Sequence, residues 1–363
     1  MHKILFIVDH LGCGGAEKIT LKLAEYLASN GHDIHLAVLN GKSNHYSCSK
    51  IIKYIDLKIQ ISFAYGKIWK NKKLTESEVH QINELLKYSF DLIITGYNNG
   101  HWLAPYLKGN VWHWIHGDLL EVRKFNNPLK QMKEYLRFFK NKRKFSKLFH
   151  NRNLITVNRD LENKAKRYAN PSLVKTIANG VNIPPIFLNQ YASTEKKWDV
   201  IFVGRLVPIK QVDHAIKAFA MSDTDGRMAI VGDGTERQKL EDLTRELKIA
   251  NRVDFLGWVD YPYEYIASSK CLVVTSRYES FGLVLAESII LKTPIIAYNC
   301  SSGVNDIFSL QKDMENYLIP YNNITLLSQK LESCLKSPYN IKQETQEILQ
   351  IKNMASKFIS LIF

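Results

Sequence analysis

Two carboxylates, Glu279 and Glu287, stand eight positions apart in RYESFGLVLAES (277–288), on either side of Phe281-Gly282. The apolar stretch KCLVVTS (270–276) ahead of them reads as a buried strand, and the residues from about Phe281 or Gly282 onward read as a helix. Glu279 then tips the loop, while Glu287 lies in the second helical turn on the face of Leu283. The N–H groups of Gly282 and Leu283 point free from the helix end. A carboxylate accepts two hydrogen bonds at once, which suits the vicinal hydroxyls of a ribose or hexose. Taken alone, the pair fits better a Glu that is favourable near a helix start and a second that is merely exposed.

Cations of complementary use occur in VGRLVPIK (203–210), where Gly204 allows close backbone approach and Arg205 and Lys210 follow at a loop and a helix start. Free N–H groups and the helix dipole favour anions there, so the fragment reads as a diphosphate clamp or as two solvated surface cations. VGDG (231–234), with Gly232, and FLGW (255–258), with Gly257 and Trp258, end two further apolar runs. Glycines at such ends often only make a turn, yet a turn at the carboxyl end of a parallel strand also lines the ligand crevice. FLGW offers backbone groups to a nucleobase edge.

These positions need strands to carry them, and the sequence supplies two series. Segments 3–9, 33–39, 91–96, 110–117 and 153–158 read as strands buried on both faces, with helical spacing between them in Ala16 to Ser29 and after Thr75. The pattern restarts at 198–204, 227–234, 252–258, 270–276, 294–299 and 316–320. Alternation of this kind makes a doubly wound parallel sheet. NIPPIFLNQYASTEKK (182–197) suits a linker, placing the boundary near residue 185. The expectation is an α/β chain of two Rossmann-like domains facing a cleft, 1–185 and 186–345, with a terminal helix at about 346–363 packing back on the first.

The succession of GRL with Lys five residues after its Arg, GDG, FLGW and ExFGxxxxE at the ends of successive strands resembles the retaining glycosyltransferases of family 4, which have the GT-B fold. The likeness is specific over 200–306. In the first half it is carried mainly by GGAEK (14–18), WIHGD (114–118) and NGV (179–181). It implies that Arg205 and Lys210 bind the donor's diphosphate, Glu287 the ribose hydroxyls and Glu279 the donor sugar, with His116 approaching the sugar from the first, acceptor-side domain. Phe281, Gly282 and Leu283 would hold the distal phosphate and sugar through their backbone, and Gly14 and Gly15 would let donor or acceptor lie close. Gln211 and Lys292 stand where relatives often carry Gly, and Asp306 where Glu is common.

Composition bounds the alternatives. The chain of 363 residues is 45% apolar and 23% charged, and 49 Lys and Arg against 35 Asp and Glu give a net charge of +14. That balance attracts nucleic acid, an anionic membrane surface or phosphate-bearing substrates. Cys13, Cys48, Cys271, Cys300 and Cys334 are scattered and form no CxxC pair, which fits a reducing cytosol and neither a zinc site nor a disulfide framework. The apolar start is only Ile4 to Val8, too short for a signal-peptide core or a membrane span. Asp223-Thr224-Asp225 mimics a metal-binding DxD at a turn where Asp is common, LGCGGAE (11–17) lacks the third Gly of GxGxxG, and no HExxH occurs. No metal or other cofactor is expected.

Residues 121–152 hold eleven Lys or Arg against two Glu, interleaved with Phe125, Tyr135, Phe138, Phe139, Phe145 and Phe149. This suits docking on an anionic bilayer, as a lipid-linked acceptor would require. A nucleic-acid patch would look similar, and so would a helix that packs its aromatics inward. The expectation is a cytoplasmic enzyme, peripheral at the inner face of the plasma membrane, moving a hexose or N-acetylhexosamine from a UDP-sugar to a glycan or lipid-linked glycan in surface polysaccharide assembly, without a nucleic-acid partner. A nucleotide-sugar epimerase or hydrolase, and a non-enzymatic nucleic-acid-binding protein, are the rival readings.

Overall fold

The computed structural model describes the chain apart from residues 13, 71, 124 and 191–194 and the side chains of 188–190. Cys13, Lys124 of the basic stretch and residues 191–194 of the linker thus lie outside the described residues. The chain forms two compact units, residues 1–179 with 351–363 and residues 180–350.

In the first unit seven parallel strands lie in the order β3-β2-β1-β4-β5-β6-β7: β1 Lys3–Val8, β2 Asp33–Val38, β3 Lys53–Asp56, β4 Leu92–Thr95, β5 Val111–Ile115, β6 Asn153–Thr156 and β7 Leu173–Thr176. The continuous apolar runs occupy the middle, where both faces are covered. Leu5, Ile7, Ala37 and Ile93 pack with Phe63, Ile82 and Leu85 in one core cluster. The helix Glu76–Leu86 starts at Thr75 with a reciprocal capping box to Glu78, which satisfies two otherwise free N–H groups. The terminal helix Ile351–Ile359 returns to this unit: Phe358 is buried against Trp114, with ring centroids 4.9 Å apart, and Asn110 Nδ2 donates to the Leu361 carbonyl at 2.7 Å.

Two strands of this sheet escape the sequence pattern. KYID (β3) and LVKT (β7) are the two edge strands, and neither contains a fully buried residue, so neither carries an apolar run.

In the second unit six parallel strands take the order β10-β9-β8-β11-β12-β13: β8 Trp198–Val203, β9 Met228–Val231, β10 Val253–Gly257, β11 Ser269–Val274, β12 Ile295–Asn299 and β13 Leu318–Pro320. All six apolar runs of the second series appear. β8 and β11 are neighbours at the centre, and Val200, Ile201, Phe202, Leu272 and Val273 form the middle of one large core. The order places the loops after β10, β9, β8 and β11 side by side at the carboxyl edge.

Candidate functional site

Those four loops are fastened to one another by main-chain hydrogen bonds. Gly204 N–H donates to the Val231 carbonyl at 2.9 Å, Leu206 N–H to the Asp233 carbonyl at 2.8 Å, and Glu236 N–H back to the Leu206 carbonyl at 2.9 Å. Gly232 N–H donates to the Gly257 carbonyl at 2.7 Å, tying the β9 loop to β10. At Gly232 φ is +140°, and a Cβ there would lie 1.9 Å from the Gly204 carbonyl oxygen. No other residue type fits so close an approach. The expected offer of FLGW is thereby narrowed, since the Gly257 carbonyl already holds Gly232, whereas the Trp258 ring is exposed and its Nε1 donates to Asp260 at 3.1 Å.

On the other side of β8, Arg277 N–H donates to the Ile209 carbonyl at 2.8 Å, and Thr275 Oγ1 lies within hydrogen-bond distance of the Lys210 and Gln211 carbonyls at 3.1 and 2.8 Å. Lys210 closes a short 3-10 turn, Pro208–Lys210, before the helix Val212–Met221 begins. Its ammonium pairs with the Glu279 carboxylate, and Ser276 Oγ donates to the same Oε1 at 2.7 Å. The Glu279 carbonyl accepts from Ser301 Oγ, and Ser301 also caps the helix Ser302–Phe308 by accepting from Val304 N–H at 3.3 Å. The structure therefore brings Lys210 and Glu279 together. Arg205 is exposed on the same loop as Lys210 and has no ion-pair partner among the described residues.

The helix that follows runs Leu283–Ile290, with Gly282 as its N-cap at φ 82° and no side chain capping its first turn. Main-chain donors at this end are thus left to solvent or a ligand. Phe281 is buried and anchors the loop. Glu287 is 5% exposed. That rules out the solvated alternative for this carboxylate.

Gln211 and Lys292, the two departures from glycine, both occupy the left-handed region, at φ 46° and 57°. Gln211 offsets the strain through its side chain: Oε1 accepts from Tyr321 at 3.0 Å, and Nε2 lies 3.4 Å from His214 Nε2, whose Nδ1 meets Tyr298 at 3.1 Å.

In the first unit, Gly14 caps the helix Gly15–Ser29 in extended conformation. The Glu17 carboxylate folds back over it, so that a Cβ on Gly14 would lie 2.2 Å from Glu17 Oε2. His116 follows the end of β5, its ring 4.1 Å from that of Trp114. Its Nε2 is covered and has no hydrogen-bond partner among the described residues. Burial, with a smaller push from His101, lowers its pKa to about 3, so the imidazole is neutral near pH 7.

Five residues escaped sequence reasoning. Ser276 and Ser301 hold Glu279; only the helix-cap position of Ser301 had a local signal. Asp9, at the end of β1, is buried and accepts from the N–H groups of Asn99 and Gly100, each at 2.8 Å; burial raises its pKa to about 7 despite those donors. His101 and His113 share the Thr95 hydroxyl, at 2.9 and 2.6 Å. Contacts such as those of Asp9 with Asn99 and of Ser301 with Glu279 join residues too far apart to leave a periodic trace.

Residues 185–352 match the family Glycosyl transferases group 1, and residues 13–183 match Glycosyltransferase Family 4. The chain is 24% identical over 387 residues to the N-acetylgalactosamine-N,N'-diacetylbacillosaminyl-diphospho-undecaprenol 4-alpha-N-acetylgalactosaminyltransferase of Campylobacter jejuni, covering 99% of this chain and 100% of that protein. Its fold is similar to sucrose-phosphate synthase of Thermosynechococcus elongatus, with TM-score 0.73, 20% identity and coverage of 99% and 98% of the two chains. Against Anabaena HepE in complex with UDP and glucose the TM-score is 0.70, with 16% identity and 99% of each chain covered. With nearly the whole sequence matched and two Rossmann-like units present, the chain belongs to glycosyltransferase family 4 and has the GT-B fold.

Proposed function

We propose that this glycosyltransferase moves a hexose or N-acetylhexosamine from a UDP-sugar to a glycan or lipid-linked glycan, with retention of anomeric configuration, in assembly of a surface polysaccharide. The observation that carries this reading is the junction of the β8, β9, β10 and β11 loops, in which the loop bearing Arg205 and Lys210 is joined through the Lys210–Glu279 pair to the loop that leads into an open helix end. In the reaction the bond between the sugar's C1 and the diphosphate oxygen breaks, and its electron pair goes to the departing nucleoside diphosphate. The acceptor oxygen bonds to C1, and its proton passes to the departing diphosphate, which leaves as the free nucleoside diphosphate. Arg205, Lys210 and the N–H groups of Gly282 and Leu283 would stabilise the charge on the leaving group, and losing one such contact costs about 3 kcal/mol, roughly a hundredfold in rate.

Glu287 is assigned to the ribose hydroxyls, Glu279 to the donor sugar, and neutral His116 to a hydrogen bond with the sugar. Gly14 and Gly15 would give backbone access for donor or acceptor. Complexes of HepE with UDP and glucose support a uridine nucleotide, and the Campylobacter relative's name supports a lipid-linked acceptor.

Peripheral association with an anionic membrane belongs to the same proposal. No helix of the described residues is long and apolar enough to cross a membrane. The helix Pro128–Phe149 carries the basic and aromatic residues. Release of UDP from a UDP-hexose or UDP-N-acetylhexosamine that depends on added acceptor glycan tests the catalytic part. Acceptor-independent consumption of donor would favour an epimerase or hydrolase. Flotation with anionic but not neutral liposomes tests the membrane part.

A further inference from the structure

Gln211, which follows Lys210 directly, stands in the left-handed region at φ 46° and ψ 47° as the N-cap of the helix Val212–Met221. Peptide units are planar, so the torsions at Gln211 largely decide in which direction Lys210 leaves the start of that helix. Glycine would take this conformation freely, whereas a Cβ is strained against the following carbonyl. The turn therefore relaxes unless something holds it. Thr275 Oγ1 reaches the Lys210 and Gln211 carbonyls, but it grips the main chain and leaves the Gln211 side chain to other partners.

Those partners come from the carboxyl ends of β12 and β13 and from the helix Val212–Met221 itself. Tyr321, the first residue after β13, donates from its hydroxyl to Gln211 Oε1 at 3.0 Å. The amide nitrogen, Nε2, faces His214 Nε2 at 3.4 Å, and His214 Nδ1 lies 3.1 Å from the hydroxyl of Tyr298 on β12. Burial, opposed by Asp213, keeps the His214 pKa below its usual value, so the ring is neutral near pH 7. A neutral imidazole has one donor and one acceptor. Nε2 accepts from the amide, and Nδ1–H then donates to Tyr298. The rings of Tyr298 and Tyr321 meet edge to face with centroids 5.8 Å apart, which closes the circuit.

The two tyrosines differ in setting. Tyr298 is fully buried and anchors the circuit in the core, whereas Tyr321 is 44% exposed. A hydrogen bond so open to water adds little to the stability of the fold. Its effect is local, on the torsions of one side chain beside Lys210.

We infer that Tyr321, Tyr298 and His214 are positioning residues for the transfer reaction: together they hold Gln211 left-handed and thereby aim the Lys210 ammonium at Glu279 and at the donor's diphosphate. They act through Gln211 and not on the donor itself. Glycine at 211 would permit this conformation, while Gln211 with its three partners enforces it. The inference rests on the donor-site reading above and adds to it the residues that set the direction of Lys210.

The test is calorimetric titration of UDP into the full chain, Tyr321→Phe, Lys210→Ala and the double variant. Tyr321→Phe keeps the ring and removes only the hydroxyl, so the fold should be intact by circular dichroism. It should weaken UDP binding about fivefold in the otherwise unaltered chain. In the Lys210→Ala background the same change should have no further effect, because the group it aims is gone. It should likewise have no effect in a Gln211→Gly background, which lacks the side chain that Tyr321 holds. Unchanged UDP affinity in Tyr321→Phe, or the same fivefold loss with and without Lys210, would overturn the inference while leaving the donor site in place. Failure of the unaltered chain to bind UDP would overturn the donor-site reading as well.

Discussion

Lys210 and Glu279 form an ion pair across 69 residues of sequence, and both side chains are largely shielded from water. The pair joins the loop after β8 to the loop after β11, so each partner holds the other in place, and both belong to the proposed donor site. Lys210→Ala and Glu279→Gln should each lower kcat/KM about a hundredfold, and the double variant should lose much less than the product of the two. Steady-state kinetics on the four proteins of this cycle checks it; strictly multiplicative losses would show that the two side chains act independently.

Gly232 is where the loops after β8 and β9 and the end of β10 meet. Alanine there would place Cβ 1.9 Å from the Gly204 carbonyl oxygen, against main chain that cannot swing aside, with φ at +140°. Gly232→Ala should lose about 3 kcal/mol of stability and most UDP affinity, measured by urea denaturation and calorimetry. Near-normal values for both would mean that the close approach is not needed.

Lys292 provides a test with the opposite sign. It is exposed after the helix Leu283–Ile290, in the left-handed region at φ 57°. Lys292→Gly removes the Cβ penalty and adds some freedom to the unfolded chain, for a net gain of about 0.5 kcal/mol in urea denaturation. Gln211→Gly, by contrast, would forfeit the side-chain contact to Tyr321 along with its strain, and should gain nothing.

The two cases also show what the sequence could convey. Strands with both faces covered, such as KILFIV and DVIFV, spell out their burial, so the core of both sheets was legible. The edge strands β3 and β7 were not, because one covered face and an open edge impose no continuous apolar run. At the site, residue types and spacing pointed to Arg205, Lys210, Glu279 and Glu287. The pairing of Lys210 with Glu279, the burial of Glu287 and the support from Ser301 depend on how separate segments meet. No local pattern encodes that.

Buried histidines should make the first unit sensitive to acid. Burial lowers the pKa of His101 and of His116 to about 3 and holds His113 well below its usual value. Their folded forms stay neutral while the unfolded chain takes up protons below about pH 6.5, so stability falls as pH drops from there toward 3. Asp9 acts with the opposite sign: its pKa is raised to about 7, and its contribution falls as pH rises from about 4 to 7. Three groups outweigh one, so the urea midpoint should be lower at pH 5 than at pH 7.5. Replacing His101 with Gln should flatten that slope. A midpoint unchanged or higher at pH 5 would contradict this balance.

The proposed donor site is tested most directly by calorimetric titration of UDP into the unaltered chain, Arg205→Ala and Glu287→Gln. Expected are saturable one-to-one binding to the unaltered chain and losses of roughly tenfold to a hundredfold in each variant, with unchanged folding by circular dichroism. Equal affinity in all three proteins, or no binding of UDP at all, would contradict the assignment of the four loops to a nucleotide-sugar site.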